Sequence, residues 1–221
     1  MRRYEITITG TQPLLHHADS IEWSDEMAAW KDDKDNTKKS KAGDDRSPAW
    51  RWLGALYHDG AHIVLPTGNI MRCLMEGGAM VPVPGGKSGK TFKAQTQSGI
   101  MPAAVGWPLL INGQPVPVAK ILKLNGQKDF AKHKETAMAH GFSLFLRRAR
   151  IGQQKHVRVR PRFEKWSTRG ELSVSDEQIT TNILNDILQM SGIYKGLGDW
   201  RPGSKTPGPF GMFEATVKQI A

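Results

Sequence analysis

Residues 156–166 read HVRVRPRFEKW, and residues 191–214 read SGIYKGLGDWRPGSKTPGPFGMFE. The first stretch has a period of two: Val157, Val159, Pro161 and Phe163 alternate with Arg158, Arg160 and Arg162. Successive strand residues point to opposite faces, so this pattern predicts a strand with an apolar face and a face of three guanidiniums. Same-face residues recur every ~6.6–6.8 Å, similar to the phosphate repeat of a stretched single strand. Across 147–169, Arg147, Arg148, Arg150, Lys155, Arg158, Arg160, Arg162, Lys165 and Arg169 stand against one acid, Glu164, and supply most of the formal charge of +10. A mixed-sign face keeps a strand equally soluble. The one-sided excess therefore points to a polyanionic partner, nucleic acid first.

The second stretch predicts a helix end opening into a loop. Ser175 and Gln178 have the spacing of a capping box, and Ile179, Ile183, Leu184, Ile187 and Leu188 form an apolar helical face, with Gly192 as the stop. Then come Gly196, Gly198, Gly203, Gly208 and Gly211 with Pro202, Pro207 and Pro209. Glycines let backbone N–H groups approach a ligand closely. Lys195, Arg201 and Lys205 add charge there, and Trp200 and Phe210 add stacking faces. A last strand follows over 213–220.

The chain has 221 residues, enough for one core, with 38% hydrophobic residues, a mean hydropathy of −0.46 and a pI near 9.8. No run is long and apolar enough to span a bilayer. MRRYEITITG at the start alternates like a strand and lacks the apolar core of a signal peptide. One cysteine, Cys73, excludes an internal disulfide and a cysteine-cluster zinc site. A buried, inert thiol and a reducing, cytoplasmic setting are expected, with no membrane partner.

Outward from the two stretches, 2–9 predicts a strand with Tyr4, Ile6 and Ile8 on one face. His16 and His17 read as structural or surface residues. Residues 19–48 form a polar insertion with a short helix over 23–31 and a flexible, charge-balanced segment. A short helix over 49–58, a strand over 62–66 and a helix over 67–80 with Ile70, Cys73 and Leu74 inward follow. Arg72 is left at the surface of that helix. GGKSGKT (85–91) resembles a nucleotide-binding loop, but Pro84 stands where its first glycine belongs, and FKAQTQ does not read as the helix that should follow. A flexible basic hairpin with Lys87, Lys90 and Lys93 is expected instead. Strands over 107–111 and 116–124 flank the turn Asn112-Gly113, 125–140 reads as a loop or short helix, and 143–151 leads into the arginine strand. The expected class is α+β, one domain over 1–221 with a largely antiparallel sheet, two main helices on one face, and insertions at about 19–48 and 81–106.

The segment Leu65-Pro66-Thr67-Gly68-Asn69-Ile70-Met71-Arg72, followed by the glycine loop ending Gly208-Pro209-Phe210-Gly211-Met212-Phe213, resembles the RAMP superfamily, whose helix-start pattern is roughly I-P-G-S-S-x-K-G-x-x-R. The glycine here falls one residue later. Pro13–His16, Gly196–Pro202 and Phe210–Phe213 also resemble the PLLMH, GLGDWRP and YGRF segments of a group of phage and prophage proteins. The RAMP resemblance implies a modified ferredoxin-like, RRM-type fold. It implies sequence-independent binding of a single strand, RNA ahead of DNA, by head-to-tail copies, as in the guide-RNA-coating backbone subunits of CRISPR effector complexes. The contacts expected, from the residue patterns above and, for Arg72, from this resemblance, are Arg72, Lys87, Lys90, Lys93, Arg158, Arg160, Arg162, Lys195, Trp200, Arg201, Lys205 and Phe210, with no cofactor, metal or catalytic residue. Two alternatives stand beside it. One is an endoribonuclease, metal-independent or metal-assisted, using Asp19 or Asp25; the other is a phage structural or assembly protein.

Overall fold

A computed structural model describes residues 1–37, 48–86, 89–151 and 154–220, with side chains for all of these except 36, 37 and 148–156. In chain order the elements are β1 (Arg2–Gly10), β2 (Leu14–Leu15), α1 (Ile21–Asp32), α2 (Lys34–Thr37), a 3₁₀ turn (Arg51–Ala55), β3 (Val64–Pro66), α3 (Thr67–Gly78), α4 (Lys93–Gly99), β4 (Ile100–Pro102) and β5 (Gly106–Ile111). They continue with β6 (Gln114–Pro115), α5 (Ala119–Leu122), α6 (Phe130–Ala139), β7 (Ser143–Ile151), β8 (Gln154–Phe163), β9 (Ser167–Val174), α7 (Thr181–Met190), a π-helical turn (Ser191–Lys195) and β10 (Phe213–Gln219).

This is a mixed α+β fold with two antiparallel sheets. The larger runs β10-β1-β9-β5-β3, with β4 also on β9 and β6 on β5; the smaller runs β2-β8-β7. In β1 the alternation buries Tyr4, Ile6 and Ile8, opposite Leu172, Gly170 and Thr168 of β9. Gly170 has a specific reason: a Cβ there would stand 2.0 Å from the Trp107 indole, which lies across the sheet at that point. Helix α3 turns Ile70, Cys73, Leu74, Gly77 and Gly78 inward at helical spacing, and α7 does the same with Leu184, Ile187 and Leu188. The two helices pack on each other and on the sheet. Full burial of each such aliphatic side chain stabilises by about 1.5–3 kcal/mol. Cys73 is buried as expected, and burial pushes its thiol up to about 12, so it stays protonated.

Several expectations need correction. Residues 116–124 are not a strand; after the left-handed turn Asn112-Gly113, Gln114–Pro115 pairs with β5, Pro117 makes a single bridge to His62, and the chain then forms α5. FKAQTQ does become helical, as α4, because Phe92 is buried and Thr96 is held against Gly78 of α3; tertiary packing overrides a weak local signal. Ser175 and Gln178 do not form a capping box. The helix starts later, and Thr180 caps it by accepting the Ile183 N–H. Gly192 is not the stop either: the chain continues through the π turn to Gly196, which takes the positive φ of 68°. Strand β9 was missed, although it lies between β1 and β5. Lys87 and 38–47 of the polar insertion lie outside the described residues.

The glycine loop is seated by close backbone contact. A Cβ on Gly211, whose φ is 71°, would stand 1.8 Å from the Leu197 carbonyl oxygen. Gly60 also has a positive φ, 94°, but faces open space. Gly211→Ala is therefore expected to destabilise by at least ~3 kcal/mol, from strain and overpacking together. Gly60→Ala should cost about 1–2 kcal/mol from strain alone. Urea unfolding of the two variants measures the difference, and equal costs would remove the close-packing explanation.

Candidate functional site

The arginine strand is β8. Val159, Pro161 and Phe163 are buried, while Arg158 is exposed and Arg160 and Arg162 are half-buried on the opposite face. Pairing with β7 sets Ser143, Phe145 and Arg147 opposite Arg162, Arg160 and Arg158 on that same face. Each arginine is differently engaged. Arg162 Nε donates to Ser143 Oγ at 3.2 Å, and its guanidinium pairs with Glu164 at 2.5 Å. Arg160 Nε donates to Asp199 Oδ2 of the glycine loop at 3.2 Å. Arg147 and Arg158 are like charges across the strand pair, an arrangement that repels. Arg147 turns away from Arg158 and lies over the Trp200 ring, 3.4 Å from its centroid.

Beside this face is a cleft of about 420 Å³, between β8, residues 17–20, α1 and the 3₁₀ turn. His17, Asp19, Trp23, Lys31, Arg51, Arg158 and Arg160 are among its lining residues. Arg51 is fixed by donating from Nη1 to the Val157 carbonyl at 3.0 Å. Burial, then Arg160 and Arg158, lower its pKa from the ordinary value. Arg160 is lowered by burial and by Arg158, with Asp199 opposing. Guanidiniums stay charged at neutral pH, so burial first and neighbouring guanidiniums second leave Arg51 and Arg160 charged in a partly desolvated cleft, a setting that favours an anion. His17 is lowered first by burial and then by Arg160, against Asp199 and Asp19, which favours the neutral ring. Its Nδ1 is buried with no hydrogen-bond partner among the described residues. His16 is structural, as expected: burial takes it to about 3, its Nδ1 accepts the Tyr57 N–H at 3.3 Å, and its ring packs on Tyr57 and Phe163.

The glycine loop meets the arginine strand directly. Asp199 N–H donates to the Leu15 carbonyl at 2.9 Å and Gly211 N–H to the Pro13 carbonyl at 2.7 Å, while Leu14 and Leu15 pair with Phe163 and Arg162 of β8. Trp200, Phe210 and Phe145 cluster, with centroids 5.4 Å apart for Trp200–Phe210 and for Phe145–Phe210. One sequence expectation fails here. Four of the five loop glycines do not open backbone N–H groups to a ligand: Gly196, Gly203, Gly208 and Gly211 donate within the protein, as do Leu197, Asp199, Trp200, Arg201, Ser204 and Phe210. What the loop offers outward is side chains.

The sequence-predicted residues thus divide. Arg158, Arg160, Arg162, Trp200 and Phe210 come together, Phe210 largely buried beneath the aromatic cluster. Lys205 is exposed on the same loop. Arg201 is committed elsewhere: Nη1 donates to Glu76 at 2.8 Å and to the Lys195 carbonyl at 3.1 Å, both ion-pair partners being mostly buried. Arg72 pairs with the same Glu76 one turn back on α3. Lys90 and Lys93 are exposed beside and on α4, whose main contacts are α3 and β4, apart from the arginines. Arg51, Trp23, Asp199 and Phe145 were missed. Only Phe145 carried a signal, as the middle of Ser143-x-Phe145-x-Arg147 at strand spacing.

Burial works to raise the Glu76 carboxyl, but hydrogen bonds from Arg201 and Arg72 outweigh it and hold the pKa below the ordinary value. A depressed carboxylate stabilises the fold above its unfolded pKa of about 4.3 and loses that contribution as pH falls. Glu76→Gln should cost about 3 kcal/mol at pH 7, the low end for breaking a mostly buried pair. The cost should shrink as pH falls below about 4. Thermal melts of both proteins across pH check this, and a pH-independent difference would contradict it.

Among the described residues no group of three metal-ligating side chains comes together, and no helix is long and apolar enough to cross a membrane. No protein-family model and no curated protein sequence matches this chain.

Proposed function

We propose that this protein binds a single-stranded nucleic acid along its sugar–phosphate backbone without reading base order. The observation that carries the reading is the gathering of Arg51, Arg158 and Arg160 in one cleft, next to the exposed side of the Phe145–Trp200–Phe210 cluster. Guanidiniums match phosphate oxygens, and aromatic faces accept any base only where the strand is unpaired. The strand order supports the finer fold reading. With α3 between β1 and β5 and α7 between β9 and β10, the order β10-β1-β9-β5 supports reading the larger sheet as a modified ferredoxin-like, RRM-type one. On that reading the RAMP resemblance extends to the ligand, RNA before DNA, and to head-to-tail copies coating it in the cytoplasm.

The test is binding to homopolymeric RNA by fluorescence anisotropy across salt. Three or four neutralised phosphates should lower affinity roughly 20- to 50-fold between 50 and 200 mM salt. Arg158→Ala should weaken binding equally on different homopolymers and flatten the log–log slope by about 0.7. A salt-independent affinity, or an unaltered one in Arg158→Ala, would count against the interface.

One observation favours strand cleavage as a second reading: Asp19 and His17 line the cleft beside Arg160. Asp25 does not line it. Labelled RNA incubated with and without Mg²⁺ decides the matter. Cleavage abolished by Asp19→Ala would favour an enzyme, and an intact strand would leave the binding role.

A further inference from the structure

Trp200 is an uncommon residue in an uncommon place. Its φ is 49°, the left-handed region that aromatic side chains rarely occupy. Three contacts hold it there. Its N–H donates to Asp199 Oδ1 at 2.9 Å, and its Nε1–H donates to the Pro207 carbonyl at 3.1 Å. Gly208 lies so close to the ring that a Cβ would stand 2.2 Å from Cδ1. The same Asp199 takes the hydrogen bond from Arg160. The ring is thus fixed relative to the arginine strand, at the expense of backbone strain.

One face of the ring is occupied. The Arg147 guanidinium lies 3.4 Å from its centroid, the spacing at which flat delocalised groups stack. Arg147 is exposed and stands opposite Arg158 in the β7–β8 register. If it left the ring it would return toward Arg158, which is unfavourable unless an anion sits between them.

Taking the nucleic-acid reading as given, we propose that Trp200 is a nucleobase-stacking face and that Arg147 holds its place in the unbound protein. When a strand binds, a phosphate bridges Arg147 and Arg158, the guanidinium leaves the indole, and one base takes its position. The exchange substitutes one flat group for another, so the ring is never left bare. Any base serves, because every base has a π-face. Base and phosphate must arrive together, since a nucleoside alone brings no anion to separate the two arginines.

The experiment compares a uridine oligomer with an abasic strand of equal length, in the same buffer, by anisotropy. Wild type should bind the base-bearing strand tighter by roughly 5- to 100-fold. Trp200→Leu should bring that ratio near one while the abasic strand binds at least as tightly as to wild type, since Arg147 no longer has to leave the ring, and Trp200→Phe should restore most of the ratio. Arg147→Ala should weaken the abasic strand but keep the preference for bases. A wild-type ratio near one, or a full ratio in Trp200→Leu, overturns the proposal. If Trp200→Leu also loses the abasic strand, the ring supports the fold, and wild-type protein decides. Photocrosslinking to a 5-iodouridine oligomer should then label the peptide carrying Trp200, and its absence from the crosslinked peptides overturns the proposal. Failure of wild type to bind either strand defeats the nucleic-acid reading itself, and this inference with it.

Discussion

Three residues, Pro13-Leu14-Leu15, join the two halves of the candidate site by using both sides of one peptide segment. On one side Leu14 and Leu15 pair with Phe163 and Arg162 of the arginine strand. On the other, the carbonyls of Pro13 and Leu15 receive the N–H groups of Gly211 and Asp199. Gly198 must be glycine for this, because a Cβ would stand 2.3 Å from the Leu15 carbonyl oxygen. The smaller sheet and the C-terminal loop therefore share a backbone seam. Across it, Arg160 of β8 comes within hydrogen-bond distance of Asp199 on the loop.

The seam leaves an electrostatic imbalance. Arg51, Arg158 and Arg160 crowd one cleft, and Asp199 pairs with only one of them. Glu76 is spent on Arg201 and Arg72 in a separate, mostly buried cluster that ties the loop to α3. Arg201 thus works for stability, while Arg158 remains exposed on the cationic face. Strain in the free protein is tolerated at Trp200 for the same reason it is tolerated at many recognition sites: the surrounding hydrogen bonds over-determine the position.

Much of this was legible from alternation and helical spacing. The buried and exposed faces of β8, the inward set of α3 and the apolar stripe of α7 follow from residue period alone. Strand β9 was not legible, because STRGELSV has a glycine and charged residues where a central strand normally shows β-branched ones. Gly170 there answers to the Trp107 indole, a contact far away in sequence. The loop glycines misled for a related reason. Glycine permits close approach, but whether a ligand or the chain's own backbone approaches is decided by partners such as Leu15 and Leu197, and nothing local to 196–211 names them. Arg51 and Asp199 were invisible because a salt-bridged or cleft-lining charge looks like any other charge until the chain is folded.

The most direct measurement is hydrogen–deuterium exchange of the whole protein with and without a single-stranded RNA homopolymer. The convergence of arginine strand and glycine loop on one ligand requires exchange to slow in both 157–163 and 197–211 at the same ligand concentration. Slowing in only one of the two stretches, or in neither while the RNA is bound, would contradict it.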